Sequence, residues 1–414
     1  SGFNESSSRI GKSTLNFEAL ATLSTASAAG ADVLEALLVV GRIEAAVNEG
    51  DVPLDDVVEA WYEEWLAAAH NAEALANTTT SGPARAAALH RASSYANAAE
   101  RFMDHTDPTA LATFSYSVSL FQEALAAEGN PCSNVSPPYS DETGMHRLHG
   151  YWCPSRLSNT ACTVVAFTGY DGTAEMLYYS VASTAASMCN VLIVEGPGQG
   201  SVARFSKLPF RPDWEVVVDQ IVAWLPAVVD VSSTKIILWG RSFGGYLAPR
   251  GFAASNTTLF ALVADGGVWN FFQNTWCGLD SSLQELLAND SDKFDAILLE
   301  YANVSLSLKS SLRFGALGFH TTSPSALFNA WQPYAMDGHM GSIGQRPVLV
   351  HNPVYDDITN NQSLIFYAAL PEPHHPKTKV LSLDSAFGTA LHCSVGSSSV
   401  AVHEMLDWLS TAMQ

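Results

Sequence analysis

Six short apolar runs within residues 161–384 constrain the fold of this chain more than any other feature. They read ACTVVAFTG, NVLIVEG, TKIILWG, LFALVADGG, RPVLVHNP and TKVLSLD, and segments of helical pattern follow most of them. Because these runs are apolar on both faces, they are typical of strands in a mainly parallel sheet that helices cover on both sides. The pattern predicts an α/β fold.

The chain has two parts of different composition. Residues 1–145 are rich in Ala, Leu and Glu at helical spacing, and they predict a helical domain in which Trp61 and Trp65 pack in the core. Residues 146–414 hold the six runs and form the predicted α/β domain. Within it, residues 268–345 are too long for a simple crossover, so we expect an insertion of helices near the carboxyl edge of the sheet, where such folds bind ligands.

Composition narrows the class of partner. The chain has 41 acidic and 20 basic residues, a formal net charge of −21, which disfavours nucleic acid and anionic lipid as partners. The sequence contains no long uncharged apolar run, so we expect no membrane span. Its six cysteines show neither Cys-x-x-Cys nor zinc-like spacing. We therefore expect a small-molecule substrate, no metal and no cofactor.

Seven potential N-glycosylation sites favour an extracellular route. They are more than twice the roughly three that the Asn, Ser and Thr content would give by chance. The sites begin at Asn4, Asn77, Asn134, Asn256, Asn289, Asn303 and Asn361. We expect a secreted or secretory-pathway glycoprotein with a disulfide within residues 132–162, and a cytoplasmic location is the alternative.

The stretch LWGRSFGGYLAPRGFAA, residues 238–254, carries the strongest chemical motif. Its GRSFG core, centred on Ser242, fits the pattern Gly-x-Ser-x-Gly. A strand-like run precedes the serine and a helical segment follows it, which is the order that a nucleophile elbow needs. The motif predicts Ser242 as a nucleophile, and a structural glycine-rich turn is the alternative.

A serine hydroxyl needs a base to remove its proton. His392 follows the last apolar run, where the base of an α/β-hydrolase is found. The carboxylate that orients the imidazole should follow the preceding run, which favours Asp356, with Asp357 and Asp265 as alternatives. The chain order Ser, Asp, His is the order of an α/β-hydrolase.

Two backbone N–H groups should bind the oxyanion that forms during acyl transfer. The first candidate is Phe243, directly after the expected nucleophile. The second is Tyr170 in the segment TGYDGTAE, which follows the first apolar run. An ordinary turn is the alternative interpretation of that glycine-containing segment.

Several segments together resemble one group of α/β-hydrolases. They are GYDGTAEMLYY, VLIVEGPGQGSVAR, PFRPDWEVVVDQIV, GRSFGGYLAPRGFAA and ALHCS, and the resemblance starts near residue 55. The group contains the bacterial 2,6-dihydroxypseudooxynicotine hydrolase and the fungal pigment-pathway hydrolases that shorten polyketide chains. The resemblance implies an α/β-hydrolase fold with an N-terminal helical cap, often a homodimer, and a triad of Ser242, Asp356 and His392. It also implies hydrolysis of a carbon–carbon bond next to a ketone.

The chain departs from this group at two places. The segment HNPVYDDIT lacks the glycine-containing turn that more often precedes the acid, which keeps Asp357 as an alternative. In the bacterial relative a glutamate beyond the nucleophile assists the substrate, whereas GGVWNFFQNTW has no carboxylate. Asn270 or Gln273 could form hydrogen bonds with a substrate there.

Three other functions use the same sequence features. An esterase, lactonase or thioesterase would have the same catalytic groups. A pathway cyclase or condensing enzyme would keep the site and exclude water. A binding protein of this fold would have no turnover, although the intact Ser, Asp, His order argues against it.

Overall fold

The computed structural model describes the chain except for short gaps. The described residues are 10–47, 52–157, 160–230, 233–276, 278–384, 386 and 388–414. They form two compact units, which we name the helical unit and the α/β unit. The helical unit comprises the described residues of Ser1–Pro131, Asn289–Ala316 and Thr322–Ser325. The α/β unit comprises those of Cys132–Ala288, Leu317–Thr321 and Ala326–Gln414.

Helices and strands are numbered here in chain order. The helices are α1 (Ile10–Ser24), α2 (Val33–Val47), α3 (Leu54–Thr78), α4 (Gly82–Glu100), α5 (Pro108–Ala127), α6 (Ala174–Leu177), α7 (Ser183–Ala185), α8 (Glu215–Trp224), α9 (Gly244–Ala254), α10 (Phe271–Trp276), α11 (Ser281–Asn289), α12 (Ser291–Ala302), α13 (Leu306–Phe319), α14 (Pro324–Trp331), α15 (Gln362–Ala368) and α16 (Ser398–Ala412). The strands are β1 (Ser133–Val135), β2 (Pro138–Asp141), β3 (Gly144–Arg147), β4 (His149–Cys153), β5 (Cys162–Phe167), β6 (Asn190–Glu195), β7 (Lys235–Arg241), β8 (Ala261–Asp265), β9 (Val348–Pro353) and β10 (Lys379–Leu383).

The apolar faces of long helices build the core of the helical unit. Trp61 and Trp65 in α3 are buried there, as the sequence predicts, and the Trp61 indole N–H donates a 2.7 Å hydrogen bond to Ala98 O. Helix α5 begins after Asp107, whose carboxylate caps it by accepting a 2.7 Å hydrogen bond from Thr109 N. A role of this unit as a cap stays a prediction.

Eight strands of the α/β unit form one sheet, in the order β1-β4-β6-β5-β7-β8-β9-β10. The six strands from β6 to β10 in this order are parallel, and β4 and β1 are antiparallel at one edge. The six parallel strands are the six predicted apolar runs, and β5, β6, β8 and β9 are buried along their whole length. The mainly parallel sheet confirms the predicted α/β fold.

The short strands β1, β2, β3 and β4 carry no comparable apolar run. Strands β2 and β3 pair as a separate hairpin, and β1 is mostly exposed. These strands belong to the α/β unit, which begins at Cys132, whereas the boundary predicted from the sequence lies at residue 146. Part of the predicted insertion, Asn289–Ala316, groups with the helical unit.

The described residues contain two disulfides and one free thiol. One disulfide joins Cys132 to Cys153, within the stretch where the sequence predicts one, and another joins Cys162 to Cys189. Cys393 is a free, buried thiol, and Cys277 lies outside the described residues. No helix in the described ranges is long and apolar enough to cross a bilayer.

Candidate active site

Ser242 lies on the tight turn between β7 and α9, at the carboxyl end of its strand. Its φ of 60° is in the left-handed region, which is unfavourable for a residue with a Cβ. Two backbone hydrogen bonds fix the turn: Ser242 N donates to Asp265 O at 2.8 Å, and Gly245 N donates to Ser242 O at 2.6 Å. Strain that the surroundings hold in this way is a common feature of functional sites.

Glycine is required at two positions of this turn because the backbone passes too closely for a side chain. A Cβ at Gly240 would lie 1.8 Å from Gly244 O. A Cβ at Gly244 would lie 2.8 Å from Phe167 O and from Thr168 O, at the end of β5. The two glycines of GRSFG therefore allow α9 to start directly against the end of the sheet.

A third glycine, Gly169, brings the loop after β5 beside the nucleophile candidate. A Cβ at Gly169 would lie 2.6 Å from Ser242 Cβ and 2.9 Å from its Oγ. The backbone that continues into Tyr170, one expected oxyanion donor, therefore runs along the hydroxyl group. Phe243, the other expected donor, precedes the first residue of α9, where helix N–H groups and the helix dipole favour negative charge.

A methyl group at position 169 should impair the site without unfolding the protein. In Gly169→Ala the new Cβ would push the Ser242 side chain or the loop away, and we expect kcat to fall by about 100-fold, as for a displacement of about 1 Å. Gly341→Ala, in the segment before β9, is the control, because nothing lies within 4 Å of its added Cβ. It should keep wild-type kinetics. Steady-state kinetics and thermal unfolding of both variants test this, and wild-type kcat in Gly169→Ala would contradict it.

The imidazole of His392 connects Ser242 with Asp356. Its Nε2 lies 2.8 Å from Ser242 Oγ, and its Nδ1 lies 2.8 Å from Asp356 Oδ2. The Asp356 carboxylate also accepts hydrogen bonds from Ile358 N at 3.0 Å, Thr359 N at 2.9 Å and Thr359 Oγ1 at 2.7 Å. The turn after β9 and the turn after β10 thus bring together three side chains that are far apart along the chain.

Burial and neighbouring groups shift the ionisation of this pair. Burial alone lowers the pKa of His392, but the Cys393 sulfur and the Asp356 carboxylate raise it well above its ordinary value. Burial alone raises the pKa of Asp356, but His392 and the hydrogen bonds from Thr359 lower it below its ordinary value. The pair thus favours a carboxylate beside an imidazolium, which is the state that forms when His392 takes a proton from serine.

The two alternative carboxylates have other surroundings. Asp357 is exposed, and among the described residues no hydrogen bond joins it to His392. Asp265 is fully buried at the end of β8, where it pairs with Arg241 Nη1 at 2.9 Å and with His351 Nδ1. Burial alone raises the pKa of Asp265, but Arg241 and His351 lower it far below its ordinary value. In the described part of the chain, no group of three His, Cys, Asp or Glu residues is arranged to hold a metal ion.

Asn270 and Gln273, the expected substrate contacts, lie at the start of α10. Asn270 is buried, and its Oδ1 accepts a 2.8 Å hydrogen bond from Gln273 N. Its own N–H donates to Gln362 Oε1 at 2.8 Å. Gln273 is exposed. These contacts give Asn270 a role in capping α10, and a contact of either residue with substrate stays a prediction.

A cluster of aromatic rings that no sequence motif predicts lies next to Ser242. Its members are Tyr170, Phe210, Phe243, Phe271, Phe319, Trp331 and Tyr334. The ring of Phe243, which directly follows Ser242, lies with its centroid 4.4 Å from that of Phe271 and 5.2 Å from that of Phe210. All of these residues belong to the α/β unit, but they come from separate segments that no local motif connects.

Curated fungal hydrolases are similar to this chain over most of their length. Hydrolase LUC6 from Fusarium sp. is 28% identical over an alignment of 426 positions, which covers 95% of each chain. The 20-hydroxy-prefusarin hydrolase FUS2 from Gibberella moniliformis is 26% identical over 96% of each chain. Hydrolase acrC from Aspergillus aculeatus is 30% identical over 357 residues, 79% of each chain. No protein-family model matches the chain.

Two solved structures share the fold. The 2,6-dihydroxy-pseudo-oxynicotine hydrolase aligns with a TM-score of 0.64 at 16% identity, over 85% of this chain and 88% of that one. AbyA5 aligns with a TM-score of 0.58 at 16% identity, over 85% and 87%. Together with the fungal relatives they confirm the resemblance found in the sequence. The chain belongs to the α/β-hydrolase family that includes these fungal hydrolases.

Proposed function

We propose that this protein is a serine-dependent hydrolase that cleaves a carbon–carbon bond next to a ketone, in an aromatic or polyketide-like metabolite. The chain of two 2.8 Å contacts from Ser242 Oγ through His392 to Asp356 supports the serine chemistry. The resemblance to polyketide-shortening hydrolases supports the choice of bond. The relative named 20-hydroxy-prefusarin hydrolase agrees with a metabolite of this class.

The first half of the reaction forms an acyl-enzyme. His392 Nε2 takes the Ser242 proton, and Oγ adds to the ketone carbon. The N–H groups of Phe243 and Tyr170 stabilise the oxyanion. When the tetrahedral intermediate collapses, the carbon–carbon bond breaks and its electron pair leaves with the carbon fragment. That fragment must delocalise the charge, for example into a phenolic ring or a 1,3-diketone, and the His392 imidazolium protonates it.

The second half releases the acyl group. His392, again neutral, takes a proton from water, and the hydroxide adds to the acyl carbon. Collapse of this intermediate frees a carboxylic acid and returns the proton to Ser242. The net reaction consumes one water and produces one carboxylic acid and one protonated carbon fragment. Asp356 keeps its negative charge throughout and stabilises the imidazolium.

The aromatic cluster supports a planar, largely apolar substrate. Phe243 and Tyr170 both belong to this cluster. Phe243 directly follows Ser242, and Tyr170 directly follows Gly169, whose backbone lies against the Ser242 side chain. Aromatic rings gain free energy by offset or edge contacts with other rings. A phenolic or polyketide-like substrate would make such contacts with Phe271 and Trp331, whose centroids lie 5.7 Å and 6.2 Å from that of Tyr170.

The pH dependence of kcat/KM should report the raised pKa of His392. Only the neutral imidazole can accept the serine proton, and its raised pKa means that this form appears at higher pH than for an ordinary histidine. We expect kcat/KM to rise with pH and to reach half its maximum above about pH 6.5. Thermal unfolding measured at each pH separates a loss of activity through protonation of His392 from a loss through acid unfolding. If kcat/KM reaches half its maximum at or below about pH 6.5, the expectation is contradicted.

Product analysis with heavy-isotope water distinguishes the candidate reactions. The probes are a C-acyl-naphthol, a linear 1,3-diketone polyketide analogue and an aryl ester. A carbon–carbon hydrolase should release the naphthol or the ketone fragment from the first two probes and place one ¹⁸O from water in the new carboxylic acid. Cleavage of the ester alone would favour the esterase alternative. An isomeric cyclic product without ¹⁸O would favour a cyclase.

We also propose that the protein is secreted and N-glycosylated. All six potential sites within the described residues are exposed, and the two disulfides agree with an oxidising compartment. The exposed sites are Asn77, Asn134, Asn256, Asn289, Asn303 and Asn361. Asn4 lies outside the described residues. Glycosidase release in ¹⁸O water followed by peptide mass mapping should find glycans on protein from its native source, and unmodified peptides with free thiols would favour the cytoplasm.

A homodimer is proposed to form through α2. This helix exposes four apolar side chains on neighbouring positions, which is unusual for a solvated surface. They are Val33, Leu34, Leu37 and Leu38. Sedimentation velocity should give a dimer for the wild-type chain and a monomer for the double variant Leu34→Glu/Leu38→Glu. A wild-type monomer would refute the proposal.

A further inference from the structure

The turn that carries His392 is strained. Cys393 and Ser394 directly after it have φ values of 51° and 54°, so two consecutive residues with side chains adopt the left-handed conformation. Each such residue costs free energy and persists only where surrounding contacts hold it. The position of the imidazole therefore depends on the contacts that fix Cys393 and Ser394.

A buried chain of polar groups reaches this turn from the middle of the sheet. Ser394 Oγ donates a 2.9 Å hydrogen bond to Thr389 O and lies 3.1 Å from His351 Nε2. His351 Nδ1 in turn contacts the carboxylate of Asp265. Ser394, His351 and Asp265 are completely buried, so each of these polar groups needs a hydrogen-bond partner.

Arg241 extends the same chain to the nucleophile turn. Its Nη1 donates to Asp265 Oδ2 at 2.9 Å, and its Nη2 donates to Cys393 O at 2.5 Å and to Ser398 Oγ at 3.0 Å. Asp265 O also accepts the hydrogen bond from Ser242 N. One connected set of groups thus holds the backbone on both sides of the Ser242–His392 contact.

The register of the sheet produces this arrangement. Arg241 at the end of β7 is opposite Asp265 in β8, and Asp265 is opposite His351 in β9. Three titratable side chains therefore occupy adjacent positions across three parallel strands, and the turn after β10 packs against them through Ser394. Charge pairing among buried groups gives such a set a fixed geometry.

We propose that Arg241, Asp265, His351 and Ser394 form a positioning network that sets the His392 imidazole at hydrogen-bonding distance from Ser242. This inference rests on the proposed serine chemistry. The four residues act through His392 and through the turn of Ser242, and they take no proton from the substrate. Loss of one link lets the strained turn relax, which lengthens the contact between imidazole and hydroxyl.

The test measures the rate at which a fluorophosphonate labels Ser242. The variants are Ser394→Ala, which removes one hydroxyl, and His351→Gln, which removes the contact between Asp265 and Nδ1. Both should label about 10- to 100-fold more slowly than the wild-type chain, because a small displacement of the base has a large kinetic effect. With an ester probe, kcat should fall by a similar factor while KM stays within about twofold. If one of the two variants does not fold, the labelling rate of the other variant tests the proposal.

Ser93→Ala is the matched control. Ser93 is also a buried serine, and its hydroxyl donates a 2.8 Å hydrogen bond to Ser117 O in the helical unit. This variant should lose stability as Ser394→Ala does and should label at the wild-type rate. If folded Ser394→Ala or His351→Gln labels within twofold of the wild-type chain, the positioning role is refuted. If the wild-type chain is neither labelled nor active, the proposed function is refuted and this inference with it.

Discussion

Ser242→Ala should lower kcat by about 10⁵- to 10⁶-fold, the range found when a triad nucleophile is removed. The variant loses the oxygen that lies 2.8 Å from His392 Nε2 and would form the acyl bond. Alanine keeps the Cβ and its left-handed φ of 60°, so the turn changes little. We therefore expect an unfolding temperature close to that of the wild-type chain.

Steady-state kinetics on the C-acyl-naphthol probe, with thermal unfolding of the same samples, measure both effects. The proposed function requires the activity loss without a loss of fold. Full turnover in folded Ser242→Ala would exclude serine chemistry. The GRSFG segment would then be a structural glycine-rich turn, which is the alternative interpretation of the motif.

Asp356→Asn should lower kcat by about 10⁴-fold, because the neutral amide no longer stabilises the imidazolium and favours the wrong tautomer of His392. The amide oxygen can still accept from the Ile358 and Thr359 N–H groups, which hold the turn in the native protein. The effect should therefore fall on kcat far more than on stability.

Asp357→Asn is the matched control for that prediction. Asp357 adjoins Asp356 in the same turn but is exposed, so its change to Asn removes the same charge without touching the imidazole. It should retain kinetics close to wild type. Strong loss in Asp357→Asn together with near-normal activity in Asp356→Asn would reverse the assignment of the acid. Steady-state kinetics of both variants, measured at the same pH and over the same probe concentrations, decide whether Asp356 or Asp357 is the acid.

The parallel strands could be predicted from the sequence because most of them are buried on both faces. A buried strand such as Ala261–Asp265 is apolar over nearly its whole length, and this produces a visible run. The short strands Ser133–Val135 and Gly144–Arg147 are largely exposed, so no such run marks them. Their pairing depends on antiparallel partners that the sequence pattern does not identify.

Residues of the candidate site could be predicted from the sequence only where their order along the chain determines where they lie in the fold. Ser242 and His392 follow particular strands, and the end of a parallel strand fixes the edge at which a residue lies. Asp265 ends one strand and Asp356 follows the next one, so chain order alone does not distinguish these two carboxylates. The contacts of Asp265 with Arg241 and His351 depend on the order and register of three strands, which is a long-range property.

His351 shows where a usable signal was missed. It is a titratable residue inside the otherwise apolar run RPVLVHNP, and Asp265 is at a similar position near the end of the preceding apolar run. Ionisable groups are rare in buried strands unless they are paired. When two neighbouring parallel strands each hold one such residue at a similar position, the pattern predicts that the two side chains pair. The aromatic cluster had no comparable signal, because its rings come from separate loops and helices.

The most direct measurement of the central claim is peptide mass mapping after treatment with a fluorophosphonate. The proposed triad predicts one phosphonyl group per chain, on the peptide that carries Ser242, and no adduct in Ser242→Ala. An adduct on a different residue, or no adduct on a chain that still hydrolyses the carbon–carbon probe, would contradict it.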